Sequence, residues 1–233
     1  NRGLVFSVYT IINLTVITAG QMLLMTADPA SFPLFAFASI LVSIAAVPIA
    51  LTRIEQPAPL DIVQLRLKRL FLISPVGVVG CVAVGLANGA FWSLAPVYAL
   101  TSMGAASVSN VAWFMSIVVI AGAVGQWPIG RLSDRMDRRK VIIGACLGAA
   151  ASGLCMVLFA NDVPYGLYIF GFAFGVFAFP VYSLSVAHLN DFITEPSDYV
   201  EAASGLLLVF AVGAIAGPLT ASALIDLVGI KYL

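Results

Sequence analysis

The sequence predicts an all-α fold, a polytopic bundle of helices that cross a membrane. Three observations predict it. Of the 233 residues, 61% are apolar and 9% are charged. Soluble domains carry about 25% charged residues, so this chain has too few to cover a water-facing surface, whereas a lipid-facing surface needs none. The apolar residues also fall in long runs without strict alternation, which selects helices over barrel strands. Finally, the basic residues collect at alternate run ends, the pattern that sets orientation in a bilayer. Eleven basic and eleven acidic residues cancel, so the positions of the charges carry the information.

A helix needs about 20 apolar residues to cross a bilayer. Seven runs qualify: residues 4–25, 33–51, 70–100, 108–129, 141–159, 164–187 and 200–225. The third has a long, Gly-interrupted start. Residues 53–69 separate the second run from the third, with two prolines and six charges. They read as a linker between two helical groups. Residues 61–70 space Leu and Val for one apolar helix face, so this half is expected to lie along the membrane surface. The domains are therefore 1–52, then the linker 53–69, then 70–233. The chain begins at Asn1 without Met and stops at Leu233, and it reads as a fragment cut at both ends.

Arg2 precedes the first run; Arg53, Arg66, Lys68 and Arg69 follow the second; Arg131, Arg135, Arg138, Arg139 and Lys140 follow the fourth. With alternating crossings, ten of the eleven basic residues share one face, which is then cytoplasmic. Residues 188–199 fall on that face yet carry only acids and His188. Asp198 and Glu201 have the spacing of a capping box at the start of the last run, where acids suit the positive helix end. Cys81, Cys146 and Cys155 lie inside apolar runs without metal-ligand or disulfide spacing. They read as small packing residues, and no metal or cofactor is expected.

The stretch "PIGRLSDRMDRRK", residues 128–140, holds seven of the 22 charged residues. Its Gly130, Asp134, Arg135, Arg138 and Arg139 resemble the loop signature of the major facilitator superfamily: Gly, two residues, a small residue, Asp-Arg, a spacer, Gly, then two basic residues. Asp137 stands where that pattern usually has Gly. "YSLSVAHLND" (182–191) and "ASGLLLVFAVGAIAGP" (203–218) resemble a bacterial branch, the YcaD-like group. The resemblance implies twelve helices in two halves, of which this chain would hold the fifth to the eleventh. It also implies a secondary active transporter that moves a small molecule by alternating access, in efflux or metabolite carriage, in the cell's inner membrane. Protons are the coupling ion to consider, and a monomer is expected, without nucleic acid.

Two readings of the charged loop stand side by side. Five cations can fix topology and touch anionic lipid. Alternatively, Asp134 pairs with Arg and caps a neighbouring helix N-terminus; the internal symmetry that the resemblance implies makes this the helix starting near Arg2 and Gly3, giving a separable latch between the halves.

Small residues four apart, at Gly144, Gly148 and Ser152 and again at Gly213 and Gly217, let helices approach closely. Pro218, Pro180 and Pro128 mark candidate bends. Polar positions near mid-depth are substrate-cavity candidates: Asn13, Gln21, Asn88, Trp92 and Tyr182, with Thr18, Gln126 and Ser183 nearby. Interhelical hydrogen bonding would satisfy the same groups. Asn88 and Trp92 lie one turn apart and are the leading pair, Trp offering a ring face and a donor. No Asp, Glu, Lys or Arg lies deep in a run. His188 is open to a proton role or an interfacial hydrogen bond. A seven-helix receptor is the alternative class. An intramembrane enzyme around His188, Asn190 and Asp191 lacks a paired nucleophile or a metal cluster, so the chain is not read as an enzyme.

Overall fold

A computed structural model describes residues 2–28, 30–52, 66–102, 108–193 and 198–228, with the side chains of 2–11, 49, 101, 102 and 228 outside the description. All regular structure among these residues is helical: α1 (Arg2–Leu23), α2 (Phe32–Leu51), α3 (Leu67–Ile73), α4 (Pro75–Ser102), α5 (Val108–Arg135), α6 (Arg138–Phe159), α7 (Gly166–Ala178), α8 (Pro180–Asn190) and α9 (Asp198–Val228). Among the described residues, five spans are long and apolar enough to cross a bilayer, namely α4, α5, α6, the continuous pair α7–α8, and α9. α1 and α2 have 22 and 20 residues. Their described apolar stretches, Ile12–Leu23 and Phe32–Pro48, are shorter.

The apolar run that opens at Leu70 is not one helix. Leu70 belongs to α3, and the backbone turns at Ser74, which is extended (φ −145°, ψ 81°). The residue before a proline is pushed out of the α region, and Pro75 then starts α4. Ser74 is buried, and its Oγ accepts the Gly77 N–H at 3.1 Å, satisfying one donor of the new helix. Hydropathy cannot register this break, because apolar side chains continue across it.

The α5–α6 connection is short. α5 runs through the charged stretch to Arg135, and α6 starts at Arg138. Asp137 is the N-cap of α6, its carboxylate accepting the Arg139 N–H at 3.0 Å. The Asp that departs from the family pattern thus supplies the cap that starts the next helix. The α7–α8 span divides at Phe179, before Pro180.

α4 packs along α9, α7 along both α5 and α6, and α1 against α5. α5 is the most enclosed of the five spans and α9 the least. Among the described residues, three clusters fill the interior. Phe91, Phe114 and Leu167 pack toward the end of the bundle far from the charged hairpin. Val84, Ile142 and Leu184 lie in the middle. Leu70, Leu189, Ile193 and Leu206 close the charged end, with Leu70 from α3 packed against α9.

Candidate functional site

The closest helix contacts are built from glycine. On α4, Gly85 and Gly89 are four apart; on α9, so are Gly213 and Gly217. A Cβ on Gly213 would lie 2.6 Å from the Val82 carbonyl oxygen, and one on Gly217 would fall on that of Leu86. In return, a Cβ on Gly85 would strike the Phe210 carbonyl, and one on Gly89 that of Ala214. The two backbones touch directly, with no side chain between them. α5 and α7 repeat the device, with Gly125 against the Val176 carbonyl and Gly175 against the Val118 carbonyl.

Two of these carbonyls have a further property. Pro180 has no N–H to give the carbonyl four residues back, which is Val176, and Pro218 likewise leaves Ala214. Each freed oxygen lies against a glycine of the neighbouring helix, Gly125 or Gly89. A Cα–H donor at such a helix interface partly replaces the missing bond. Pro218 and Pro128 sit inside single helices, whereas Pro180 stands at the boundary between α7 and α8, where the backbone of Phe179 stays right-handed helical. The small-residue row of α6 behaves differently. Gly148 faces the Phe177 ring rather than a backbone, and Gly144 faces open space. The close helix approach expected of this row is therefore absent at Gly144. Ser152 Oγ donates to the Gly148 carbonyl of its own helix at 2.7 Å.

Asn88 and Trp92 sit one turn apart on α4, and Trp92 meets Phe179 at the α7–α8 boundary. Trp92 is 38% exposed and stands edge-on to Phe91 and Phe179, with ring centroids 5.4 and 6.4 Å away. The Asn88 side-chain oxygen is buried and takes no hydrogen bond among the described residues. A buried amide oxygen without a partner is costly, which marks this one as available to a further donor. Tyr182 packs edge-on to Phe210 at 5.2 Å, joining α8 to α9. Ser183 Oγ lies 2.9 Å from Gln126 Oε1, an intramembrane hydrogen bond between α8 and α5. Asn13 is exposed and Gln21 half-buried on α1. Among the described residues no hydrogen bond or ring contact joins them to the Asn88 group. His188 is buried edge-on to Phe192, 5.2 Å between centroids.

In the charged hairpin, Arg138 is the least exposed cation. Its Nη2 lies 3.3 Å from Asp134 Oδ1 within the hairpin, and its Nε lies 3.6 Å from Asp191 Oδ2 at the end of α8. Arg131 stacks over the Trp127 ring at 4.0 Å. Arg135 and Arg139 are exposed, and neither carries an ion pair among the described residues. Nothing lies within 4 Å of where a Gly130 Cβ would stand. The cap that Asp134 was expected to supply at Arg2 and Gly3 falls on side chains outside the described residues.

Sequence reasoning missed a second charged contact. Arg69 of α3 pairs with Asp198 at 2.7 Å and with Glu201 at 3.4 Å, and Glu201 also accepts the Arg66 N–H at 3.1 Å. The acids expected to close a capping box are used instead to bind α3. The hydrogen bond that Arg69 donates to Asp198, and then the charge of that carboxylate, raise the Arg69 pKa above the usual arginine value; burial opposes this, and Glu201 adds to the rise. The available signal was the mismatch itself: an acid-only connection on the face where the cations collect.

Apolar helices packed through glycine, with charge confined to their ends, define an integral membrane protein of the polytopic helical class. Residues 77–233 match the family model described as Major Facilitator Superfamily, and the chain belongs to that family. It is 27% identical over 226 residues to the MFS-type transporter YcaD of Escherichia fergusonii, covering 94% of this chain and 56% of that protein. A similar MFS-type transporter from Enterobacter sp. (strain 638) is 29% identical over 226 residues, with the same coverage. The chain thus spans about half the length of the curated relatives it matches. No solved structure matches it.

Proposed function

We propose that this chain is the fifth to the eleventh helix of a secondary active transporter that carries a small molecule across a bacterial inner membrane by alternating access. Residues 1–52 would be the end of the first half, 53–69 the cytoplasmic linker and 70–233 most of the second half. The observation that carries this reading is the membership of residues 77–233 in the family, and the names of the relatives agree with it. The glycine seams suit it physically. Helices in backbone contact can shift or bend without extracting interlocked side chains, and a proline-freed carbonyl already lacks its helical bond.

In this reading Asn88 and Trp92 meet the substrate, the amide oxygen as an acceptor and the indole as a face and donor. Asn13, Gln21 and Tyr182 stand as further candidates. Asp134 takes part in the contact between halves and separates in each cycle, which suits an exposed pair worth about 0–1 kcal/mol. Protons are the proposed coupling ion and a monomer the proposed working unit. The test is uptake and efflux of a substrate panel by the full-length protein in proteoliposomes. Asn88→Ala and Trp92→Ala should abolish saturable transport of whichever compound the unmodified protein moves. Equal transport by both variants would remove these residues from the site, and no transport of any compound class under an imposed proton gradient would oppose a proton-coupled carrier.

A further inference from the structure

Beside the charged hairpin lies a groove of about 270 Å³ that the proposed transport path does not use. Ile129, Leu132 and Met136 of α5 form one wall, and Val141, Gly144 and Ala145 of α6 the other. Phe177 of α7 forms the floor. Among the described residues, Lys140 is the only charged side chain that lines it. Gly144 keeps it open, since a Cβ there would meet no atom within 4 Å. Leu132 and Met136 are about half exposed, at 46% and 51%, so the groove opens outward.

The charges around the mouth are not balanced locally. Asp134 is engaged by Arg138, and Asp137 by the start of α6. Among the described residues, Lys140, Arg139, Arg135 and Arg131 carry no ion pair. A channel apolar along its length, with one cation at its end, is complementary to an amphiphile with one anionic head. An acyl chain gains by covering apolar surface, and a phosphate gains by reaching the Lys140 ammonium.

We propose that this α5–α6 groove is a binding site for one anionic phospholipid, with an acyl chain over Gly144 and Phe177 and the phosphate on Lys140. The site anchors the charged hairpin to the leaflet on its own side. It suits the glycine that the α6 row keeps where, among the described residues, no atom lies within 4 Å of the Cβ position.

The test is native mass spectrometry of full-length protein in detergent, titrated with phosphatidylglycerol or with phosphatidylcholine of identical chains. One phosphatidylglycerol should bind about fivefold more tightly than phosphatidylcholine, the factor expected of one lysine near an anionic headgroup. Lys140→Gln should erase that preference while leaving chain-dependent binding. Gly144→Leu should fill the groove and lose both lipids from this site, with the thermal unfolding midpoint reporting that the fold persists. Arg131→Gln, outside the groove, should change nothing. The proposal is overturned if Arg131→Gln lowers the preference as much as Lys140→Gln, which is diffuse attraction to a basic surface. It is equally overturned if Gly144→Leu keeps the bound lipid, or if glycerol phosphate without chains competes as well as the lipid.

Discussion

The seam between α4 and α9 and the outer row of α6 carry the same sequence signature, small residues four apart, and use it in opposite ways. At the seam, Gly85 and Gly89 meet Gly213 and Gly217, and every missing Cβ is space occupied by a facing backbone. On α6, Gly144 faces open space and Gly148 only a ring. The difference lies in the partner. A small-residue row permits close approach, but reciprocal glycines on the facing helix are what bring the backbones together. Where they are lacking, the same row leaves a groove.

The contrast predicts opposite signs for one substitution. Gly89→Ala forces a methyl onto the Ala214 carbonyl and should destabilise the protein by about 1–3 kcal/mol, as overpacking does. Gly217→Ala should do the same against the Leu86 carbonyl. Thermal unfolding in detergent reads both, and an unchanged midpoint would dissolve the seam as described.

The next effect concerns the charged end. Arg69→Gln removes the ion pairs that tie α3 to the start of α9. Amide hydrogen exchange should then accelerate in α3 (Leu67–Ile73) and leave the seam protected. Because the Arg69 pKa is raised, its contribution is present throughout the physiological range. It is lost only as pH rises beyond the ordinary arginine value, so alkaline buffer should not mimic the substitution.

Asp191→Asn should have a smaller effect, freeing Arg138 from α8 while the Asp134 pair remains; exposed pairs are worth about 0–1 kcal/mol. High salt should reproduce most of it. The smallest effect sharpens the comparison: Gly144→Ala meets no atom and replaces a flexible helix residue, so it should stabilise by about 0.4–1 kcal/mol. A loss of stability there would mean that α6 is as tightly faced as α9.

The spans were legible because lipid selects apolar runs, and the charged hairpin because seven charges stand out between them. Pro180 stood out as a candidate bend by its chemistry alone, and the boundary between α7 and α8 falls there. Leu70 was misplaced because hydropathy is blind to backbone direction, although Ser74 before Pro75 carried the signal. The Arg69 contacts were not legible: Asp198 and Glu201 lie 129 and 132 residues away in the chain, and a local cap explained them equally well. Asn88 and Trp92 could be placed on one helix face, but the unpartnered amide oxygen and the rings of Phe91 and Phe179 emerge only once α4 meets α7. Gly85 and Gly89 were missed as partners of Gly213 and Gly217 because spacing within one helix says nothing about which other helix faces it.

In the transport cycle proposed above, the Asn88–Trp92 region would be reached from the two sides of the membrane in turn. This is tested by the accessibility of Trp92→Cys in full-length protein whose Cys81, Cys146 and Cys155 are replaced by Ser, probed with impermeant thiol reagents added from each side. Labelling should occur from both sides, with Asp134→Asn raising the rate from the hairpin side and lowering it from the other. Labelling from one side alone, unchanged by Asp134→Asn, would contradict the account.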